Sequence, residues 1–303
     1  MNNLSSLNLS VILPVYNEEN SLESVVKSLS EELNIINLNK FEIITVNDGS
    51  TDRSPDIIRK LKKNRLINNT ITTKENTGYG YSLKVGIKNS KYNVILIIDA
   101  DGTYPTKVIK KLISKMDTND MVIGARTNKN VKIPFARIIP KKIITILAST
   151  LTGKAIPDLN SGLRVFNKSL ADEFWHLFPD KFSFTTTITM ASLMNKYKIE
   201  YVPINYKRRK GDSSIKSVDF FYFIALIVRL VVYYQPLRFF FWPGVAFIFA
   251  GLLLIIYTLI TENNVTDTDL LIFITGVQAL FFGLIADLIV KTRDKDKLSN
   301  DQK

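Results

Sequence analysis

Two patterns of apolar and polar positions alternate along the N-terminal part of this chain. Short apolar runs rich in β-branched residues predict strands over residues 9–15, 41–46, 70–73, 94–98 and 121–124. Apolar residues at helical spacing predict helices between these runs, over residues 22–33, 79–90 and 105–116, with another after the turn at 47–52. Strands that alternate with helices indicate right-handed βαβ units and a parallel sheet.

The pattern is less regular beyond residue 126. It predicts a helix over 141–151, a strand within 158–166, a helix over 185–197 and a last strand over 199–204. A basic loop over residues 206–216 follows the last strand. We therefore expect the first domain to comprise residues 1–216.

The C-terminal third contains two long apolar runs, which predict membrane spans at residues 239–260 and 270–290. Each run is about as long as the ~20 apolar residues that cross a bilayer. The preceding segment, 217–238, is largely apolar but carries Asp219 and Arg229, which indicates an amphipathic juxtamembrane helix lying on the membrane. Residues 291–303 form a basic, polar tail.

Charged residues around the two spans predict their orientation. The connecting loop, 261–269, has no Lys or Arg, whereas the outer flanks carry Arg229, Arg238, Lys291, Arg293, Lys295 and Lys297. The positive-inside rule therefore predicts an integral membrane protein with both termini and the large domain in the cytoplasm. Gly251, Gly276 and Gly283 permit close helix–helix contacts, which are compatible with a homo-oligomer.

Composition narrows the class of partner and site. The net charge of +12 favours an anionic partner, and with two spans the simplest one is anionic membrane lipid, so no nucleic acid is expected. The chain has no cysteine and a single histidine, His176. Disulfides, thiolate metal sites and His-rich zinc sites are therefore excluded.

Two carboxylates, Asp99 and Asp101, come directly after the apolar run 94–98. In open α/β sheets, ligands bind beyond the carboxyl ends of the strands. Carboxylate oxygens suit Mg²⁺ or Mn²⁺, which can bridge to substrate phosphates. The residues therefore predict a metal–diphosphate site, with a buried carboxylate bonded to backbone amides as the alternative for Asp99.

Six short motifs at predicted strand ends or turns occur in a characteristic order. They are PVYNE at 14–18, NDGSTD at 47–52, NTGYG at 76–80, DAD at 99–101, GAR at 124–126 and NSGLR at 160–164. Over about residues 8–216 the chain resembles the family-two glycosyltransferases, and most closely their dolichol-phosphate mannose and glucose synthase-like branch. The resemblance implies an α/β fold: a GT-A catalytic domain, Rossmann-like with a mostly parallel sheet, followed by an interfacial helix and two transmembrane helices.

The resemblance also implies the residues of the donor site. A nucleotide-sugar would bind at Pro14, Tyr16, Glu18, Asp48, Gly78 and Asp99. Asp48 would accept a hydrogen bond from the base, with a helix-capping turn as its alternative, and Gly78 would allow the backbone close to substrate. Asp99 and Asp101 would bind Mg²⁺ or Mn²⁺, which offsets charge on the leaving diphosphate. Asp101, Arg126 and Arg164 would be catalytic.

The acceptor implied by the resemblance is a polyprenyl phosphate, dolichyl or undecaprenyl. Its phosphate would be bound by Arg126, Arg164, Arg209, Ser213 and Lys216. A phosphate monoester, with a second pKa of about 6, is largely a dianion at pH 7 and needs little help from a general base. The alternatives are a structural salt bridge for Arg164 and attraction to lipid for the basic run 207–210.

Three positions depart from the pattern of the family. Asn47 stands where relatives carry a first acidic residue, Thr103 where mannosyl members often have Gln, and Ser214 where many relatives have Lys. Thr103 puts a third metal ligand in doubt. These departures leave the sugar and the base of the donor open.

The expected function is the transfer of one sugar from a UDP- or GDP-linked donor to a polyprenyl phosphate at the cytoplasmic face, with a metal and with inversion. One alternative is a glycosyltransferase that uses a lipid-linked oligosaccharide, glycolipid or polysaccharide acceptor; the short anchor argues against a polymer channel. The other is a catalytically silent membrane scaffold that binds nucleotide-sugar. Intact Asp99 and Asp101 argue against the scaffold.

Overall fold

The computed structural model of the protein describes residues 4–128, 145–150, 152–181, 183–207 and 219–300. The chain divides into two compact units. The first comprises Met1–Ser149 and Lys154–Phe223, and the second comprises Thr150–Gly153 and Ile224–Lys303.

The first unit is built on a seven-stranded sheet in the order β3-β2-β1-β4-β6-β5-β7. The strands are β1 Asn8–Val15, β2 Lys40–Asp48, β3 Asn69–Thr73, β4 Val94–Ile97, β5 Met121–Ala125, β6 Arg164–Asn167 and β7 Ile199–Pro203. Strands β1, β2, β3 and β4 are parallel to their neighbours in this set, as is β7 to β5. Strand β6 runs antiparallel to both β4 and β5. The mostly parallel sheet expected from the resemblance is confirmed.

Helices cover the sheet at α1 Leu22–Ile36, α2 Ser54–Lys63, α3 Tyr79–Lys88 and α4 Ile109–Ile113. Two further helices of this unit are Lys168–Glu173 and Phe184–Met194, and residues 145–150 are also helical. Helix α4 is shorter than the predicted helix over 105–116, because its first turn, Thr106–Val108, is a 3-10 turn. The helix predicted over 185–197 is confirmed with its end at Met194.

The strand predicted within 158–166 begins only at Arg164. Residues 158–162 are used instead for bonds with side chains and with the end of β5. Asp158 accepts from the Arg126 guanidinium, and the Ser161 hydroxyl donates to the carbonyl oxygen of Gly124 at 2.5 Å. The alternation of strands and helices indicated parallel strands and gave no sign of the one antiparallel strand, β6, because it contains no signal for strand direction.

Parallel pairing places the carboxyl ends of β1, β2 and β4 at one edge of the sheet, and a hydrophobic core packs helices α1 and α3 against these strands. Leu22, Val26, Leu29 and Leu33 of α1 are fully buried at the spacing of one helix face, as are the apolar residues of β1. Burying each such side chain contributes about 1.5–3 kcal/mol. Gly86 allows helix α3 to lie close to β1. A Cβ at this position would lie 3.4 Å from both Cδ1 and Cγ1 of Ile12, and closer still to its Cγ2.

Most of the second unit is an antiparallel pair of long helices, Pro236–Glu262 and Asp267–Asn300, which we call the C-terminal hairpin. By length and composition, Pro236–Glu262 and Asp267–Thr292 could each cross a membrane, with mean hydropathies of 2.4 and 2.1. Only 11% of each apolar stretch is buried, unlike the core helix of a soluble protein. The helices therefore contain both predicted spans and extend beyond them. A separate helix, Asp219–Tyr234, precedes the hairpin.

Glycines bring the two hairpin helices into backbone contact. A Cβ on Gly251 would lie 2.7 Å from the Cα of Phe273, and one on Gly276 would lie 2.7 Å from the carbonyl oxygen of Gly244. At the turn, the buried Asp269 carboxylate accepts from the Thr258 hydroxyl at 2.8 Å and from the Thr266 N–H at 3.0 Å. The hairpin is held by small-residue packing and one polar cluster.

We expect Gly251→Val to weaken the hairpin, because the added atoms overlap the backbone of Phe273. Overpacking of this kind costs about 1–3 kcal/mol. The readout is the SDS concentration at which helicity is lost, and Ala250→Val, at a neighbouring exposed position, is the control. Equal SDS midpoints for the two variants would contradict the close packing of Gly251 against Phe273.

Candidate active site

The loops after β1 and β2 are locked to each other by side-chain bonds. The Asn17 amide oxygen accepts from the Thr51 N–H at 2.8 Å, and the Asn17 N–H donates to the Ser50 hydroxyl at 3.1 Å. The Glu19 N–H donates to Asp52 at 3.0 Å. Asn17 has a φ of 54°, a left-handed conformation that asparagine tolerates better than most residues. The two loops therefore form one rim at the carboxyl edge of the sheet.

Three residues predicted for the nucleotide lie on this rim. Tyr16 is 43% exposed, whereas Pro14 and Glu18 are half-buried. The Glu18 N–H donates to the Ser54 hydroxyl at 2.9 Å, and its carboxylate accepts from Ser21 at 3.0 Å. Of the three, Tyr16 offers the most open surface, and an aromatic ring can stack on a planar ligand.

Asp48 is buried and binds its own chain. Its Oδ1 accepts from the Thr77 N–H at 2.8 Å and from the Thr77 hydroxyl at 2.6 Å, and its Oδ2 accepts from the Gly78 N–H at 2.8 Å. The alternative role for Asp48, in a turn that caps helix α2, is not seen. At the start of that helix the Ser54 N–H donates to Asp52 instead. The hydrogen bond to a base stays a prediction, for which Oδ2 has acceptor capacity beyond the Gly78 bond.

Gly78 and Gly80 allow the close approach of another segment of this chain. A Cβ on Gly78, whose φ is 116°, would lie 2.7 Å from the carbonyl oxygen of Asp180. The Gly80 N–H donates to the carbonyl oxygen of Lys181 at 2.8 Å, and the Tyr81 N–H to that of Asp180 at 2.7 Å. These contacts explain both glycines without a substrate, so the predicted binding role of Gly78 has no separate support from its position.

Each carboxylate of the Asp99–Asp101 turn accepts a hydrogen bond from a hydroxyl group. Asp99 Oδ1 accepts from the Tyr79 hydroxyl at 2.9 Å. Asp101 is 9% exposed, and its Oδ1 accepts from the Thr103 hydroxyl at 2.6 Å and from the Thr103 N–H at 3.0 Å. Burial, aided by the charge of Asp99, raises the pKa of Tyr79 well above its ordinary value, so Tyr79 remains a donor at neutral pH.

Arg126 lies in the region of the Asp99–Asp101 turn, and its guanidinium stays positively charged despite burial. Its Nε and Nη2 donate to Asp158 at 2.7 and 2.8 Å, and its guanidinium lies 5.2 Å from the ring centroid of Tyr206. Burial opposes the charge, but Tyr104 and Asp158 outweigh it and raise the pKa of Arg126 above its ordinary value. Asp158 is fully buried and the Arg126 side chain is 18% exposed. Its predicted phosphate contact is therefore sterically open.

Arg164 is fully buried, unlike Arg126. Its guanidinium donates to the carbonyl oxygens of Ser161, at 2.5 Å, and Thr185, at 3.0 Å, and to the Thr189 hydroxyl at 3.0 Å. Burial lowers its pKa from the ordinary value. The structure brings Arg164 neither to an open surface nor into a salt bridge within the described residues. Its position suits support of the 158–162 loop better than contact with an acceptor phosphate.

Arg209, Ser213 and Lys216 lie outside the described residues. The chain enters that segment beside the Asp99–Asp101 turn, because the Lys207 N–H donates to the carbonyl oxygen of Thr103 at 3.0 Å. Tyr206 packs edge-on against Tyr104, with ring centroids 5.1 Å apart. The start of the basic loop is thus anchored at the site.

Several residues of the site were not anticipated, namely Tyr79, Tyr104, Asp158, Gly162 and Tyr206. The motif around residues 76–80 contains Tyr79, but nothing in its spacing indicates a bond to Asp99. Asp158 precedes the 160–164 motif by two residues, and its pairing with Arg126 follows only from the sheet order. These contacts join residues far apart in sequence, for which a single sequence carries no signal.

The donor set suits a cation that arrives with a phosphate ligand. Among the described residues, no group of three or more His, Cys, Asp or Glu side chains could hold a metal ion. Mg²⁺ is commonly held by one or two carboxylates, with waters and substrate phosphates completing its coordination. Asp99 and Asp101 at a strand end fit that pattern better than an all-protein cage.

Comparison with known proteins assigns the family. Residues 10–175, more than half of the chain, match Glycosyl transferase family 2. The chain belongs to this family. Residues 235–292 of this family-2 glycosyltransferase match the GtrB C-terminal hairpin, which agrees with the hairpin described above. The family resemblance stated from the six motifs is confirmed.

Two curated relatives resemble most of the chain. A dolichyl-phosphate hexose transferase of Haloferax volcanii is 27% identical over 210 residues, covering 68% of this chain and 86% of the relative. An undecaprenyl-phosphate 4-deoxy-4-formamido-L-arabinose transferase of Pseudomonas fluorescens is 24% identical over 295 residues, covering 93% and 84%. At this coverage the second alignment extends into the C-terminal hairpin.

A solved structure with a similar fold contains a metal and a nucleotide. Glucosyl-3-phosphoglycerate synthase from Mycobacterium tuberculosis, in complex with Mn²⁺, UDP and phosphoglyceric acid, superposes with a TM-score of 0.58. It is 15% identical, and the match covers 74% of this chain and 78% of that one. At this identity the likeness supports the fold.

We expect Asp158→Asn to destabilise the family-2 domain, because it leaves the Arg126 guanidinium without its paired charge. Breaking a buried pair costs about 3–5 kcal/mol, and the partial exposure of Arg126 reduces this to about 2–3 kcal/mol. Thermal unfolding of the purified full chain measures the effect. Asp172→Asn, at an exposed position, is the control, and a variant of Asp158 as stable as this control would refute the structural role of the pair.

Proposed function

We propose that this family-2 glycosyltransferase transfers one sugar from a nucleotide-sugar to the phosphate of a membrane polyprenol. The observation that carries the proposal is that two features lie at the same edge of the sheet. These are the paired carboxylates of Asp99 and Asp101, and the charged, partly exposed Arg126. The curated relatives act on dolichyl and undecaprenyl phosphates, which supports the choice of acceptor.

The donor is a UDP- or GDP-linked sugar on this proposal. Its nucleoside lies on the rim formed by the loops after β1 and β2, where Tyr16 is exposed, with Pro14, Glu18 and Asp48 beside it. Asp99 and Asp101 would hold Mg²⁺ or Mn²⁺. When bound, the cation would offset the negative charge that develops on the leaving nucleoside diphosphate. The Mn²⁺- and UDP-glucose-bound structures of the mycobacterial enzyme support this arrangement by fold.

The reaction proposed is a direct displacement. An oxygen of the acceptor phosphate forms a bond to the anomeric carbon, the bond from that carbon to the diphosphate oxygen breaks, and the configuration inverts. The acceptor monoester is already largely dianionic at pH 7, so this chain need not supply a base. Its residues align two anions and shield their repulsion.

Arg126 is the residue best placed to bind the acceptor phosphate. Asp158 accepts hydrogen bonds from one edge of its guanidinium, and the Tyr206 ring packs against its face, so the side chain is preorganised. Arg209, Ser213 and Lys216 complete the phosphate site on this proposal, since their loop begins beside the Asp99–Asp101 turn. Arg164 supports the site indirectly, by donating to the loop 158–162.

The proposed topology follows from the hairpin and its flanking charges. We place the catalytic domain, residues 1–216, and both termini in the cytoplasm, with 217–238 at the membrane surface. The support is the loop 261–269, which contains no Lys or Arg, between basic outer flanks. A cytoplasmic domain meets the nucleotide-sugars made there, and a lipid acceptor reaches it from the inner leaflet.

A transfer assay tests the proposal. The full chain, in nanodiscs with Mg²⁺ or Mn²⁺, receives radiolabelled UDP- and GDP-sugars together with short- and long-chain polyprenyl phosphates. We expect one donor to give a lipid-extractable product whose formation stops when EDTA is added. Asp101→Asn should lower the rate at least about 100-fold, whereas Asp117→Asn, at an exposed position, should not change it.

Transfer to a lipid-linked oligosaccharide, a glycolipid or a polysaccharide, with none to any polyprenyl phosphate, would overturn the acceptor assignment. Full activity in EDTA would overturn the metal assignment. Donor binding without transfer to any acceptor would contradict the catalytic role of the Asp99–Asp101 turn.

A further inference from the structure

The first turn of helix α3 is anchored on both sides. Before Tyr79, the Gly78 N–H donates to Asp48 at 2.8 Å. After it, the Gly80 N–H donates to the carbonyl oxygen of Lys181 at 2.8 Å. A side chain at either glycine would collide with the backbone of the segment 179–181. Tyr79 therefore projects from a fixed piece of backbone.

The polar end of Tyr79 meets the first carboxylate of the Asp99–Asp101 turn. Its hydroxyl donates to Asp99 Oδ1 at 2.9 Å. The bond joins the start of α3 to the end of β4, across 20 positions of the sequence. The phenol thus connects the loop held by Asp48 to the carboxylate predicted to hold a metal.

Gly162 confines the same carboxylate from another direction. A Cβ on Gly162 would lie 2.7 Å from Asp99 Oδ1 and 2.8 Å from its Cγ, so any other residue would displace the carboxylate. The Gly162 N–H donates to the Tyr104 hydroxyl at 2.7 Å, which fixes the backbone at this point. Asp99 is therefore bounded by a hydroxyl and by a backbone that has no side chain.

The two carboxylates of the turn are held in different ways. Asp101 is held by the hydroxyl and N–H of Thr103, two residues away in the same turn. Asp99 is held by Tyr79, which belongs to a helix on a different part of the chain. A change at Tyr79 should consequently affect Asp99 while leaving the bonds of Asp101 intact.

We propose that Tyr79 is a positioning residue that sets the Asp99 carboxylate for the metal–diphosphate complex of the donor. The inference rests on the proposed function, of which it specifies one requirement. Groups that orient a metal ligand typically contribute 10–100-fold to metal affinity or activity. Tyr79 acts through Asp99 and takes no part in bond making.

Tyr79→Phe removes the hydroxyl and leaves the ring. We expect the Kd for Mn²⁺, measured by electron paramagnetic resonance with UDP and in parallel with GDP, to rise about tenfold. In the transfer assay, raising Mn²⁺ should restore kcat toward that of the unmodified protein. The matched control is Tyr81→Phe, which removes a hydroxyl from a residue of the same helix that is 36% exposed. Its Kd for Mn²⁺ should stay within about twofold, since exposed substitutions are usually near neutral.

An unchanged Mn²⁺ affinity in Tyr79→Phe would overturn the inference, whether or not activity falls. Lost activity with unchanged affinity would assign the hydroxyl to the chemistry instead. If the unmodified protein binds Mn²⁺ with neither nucleotide, the metal assignment itself fails, and this inference fails with it. That result differs from equal affinity of the variant and the unmodified protein, which overturns the role of Tyr79 alone.

Discussion

The site depends on polar side chains that bind the backbone N–H groups of the loops at the carboxyl edge of the sheet. Where a strand ends, its loop loses the regular ladder, and its buried N–H groups need other acceptors. Asp48 accepts from Thr77 and Gly78, Asn17 accepts from Thr51, and Asp158 accepts from Arg126. These bonds fix the loops in the absence of regular secondary structure. The loops of the proposed binding surface are therefore fixed by buried carboxylates and by the exposed Asn17 amide, each of which accepts from another part of the protein.

The same constraint separates residues of identical type into different roles. Asp48 and Asp158 hold loops and are almost fully buried, whereas Asp99 and Asp101 lie together on the turn after β4. Of the two arginines predicted to bind phosphate within the described residues, Arg126 has a partly exposed side chain, whereas Arg164 is fully buried and bonds to the loop 158–162. A phosphate can approach the first guanidinium of this pair. On the proposed function, burial and hydrogen-bond partners decide which charges serve architecture and which remain for ligands.

Much of the fold could be predicted from the sequence, because β-branched runs and helical spacing are local signals. The six motifs located the carboxyl edge, and the two apolar runs located the hairpin helices. The antiparallel β6 was not predictable from alternation, since strand direction depends on the path of the whole chain. The pairing of Gly78 with Asp180, and of Tyr79 with Asp99, depends on tertiary contact and leaves no local pattern. For the same reason, the sequence could not distinguish Arg164 from Arg126.

Hydrogen exchange of the loop between β3 and α3 tests the role of the buried carboxylates most directly. In the unmodified protein, peptides covering residues 73–80 should exchange slowly, because the Thr77 and Gly78 N–H groups are bonded to Asp48. Asp48→Ala should make the same peptides exchange faster, with little change at the Asn17–Thr51 contact. Equal exchange with and without the Asp48 carboxylate would contradict the claim that buried carboxylates build this site.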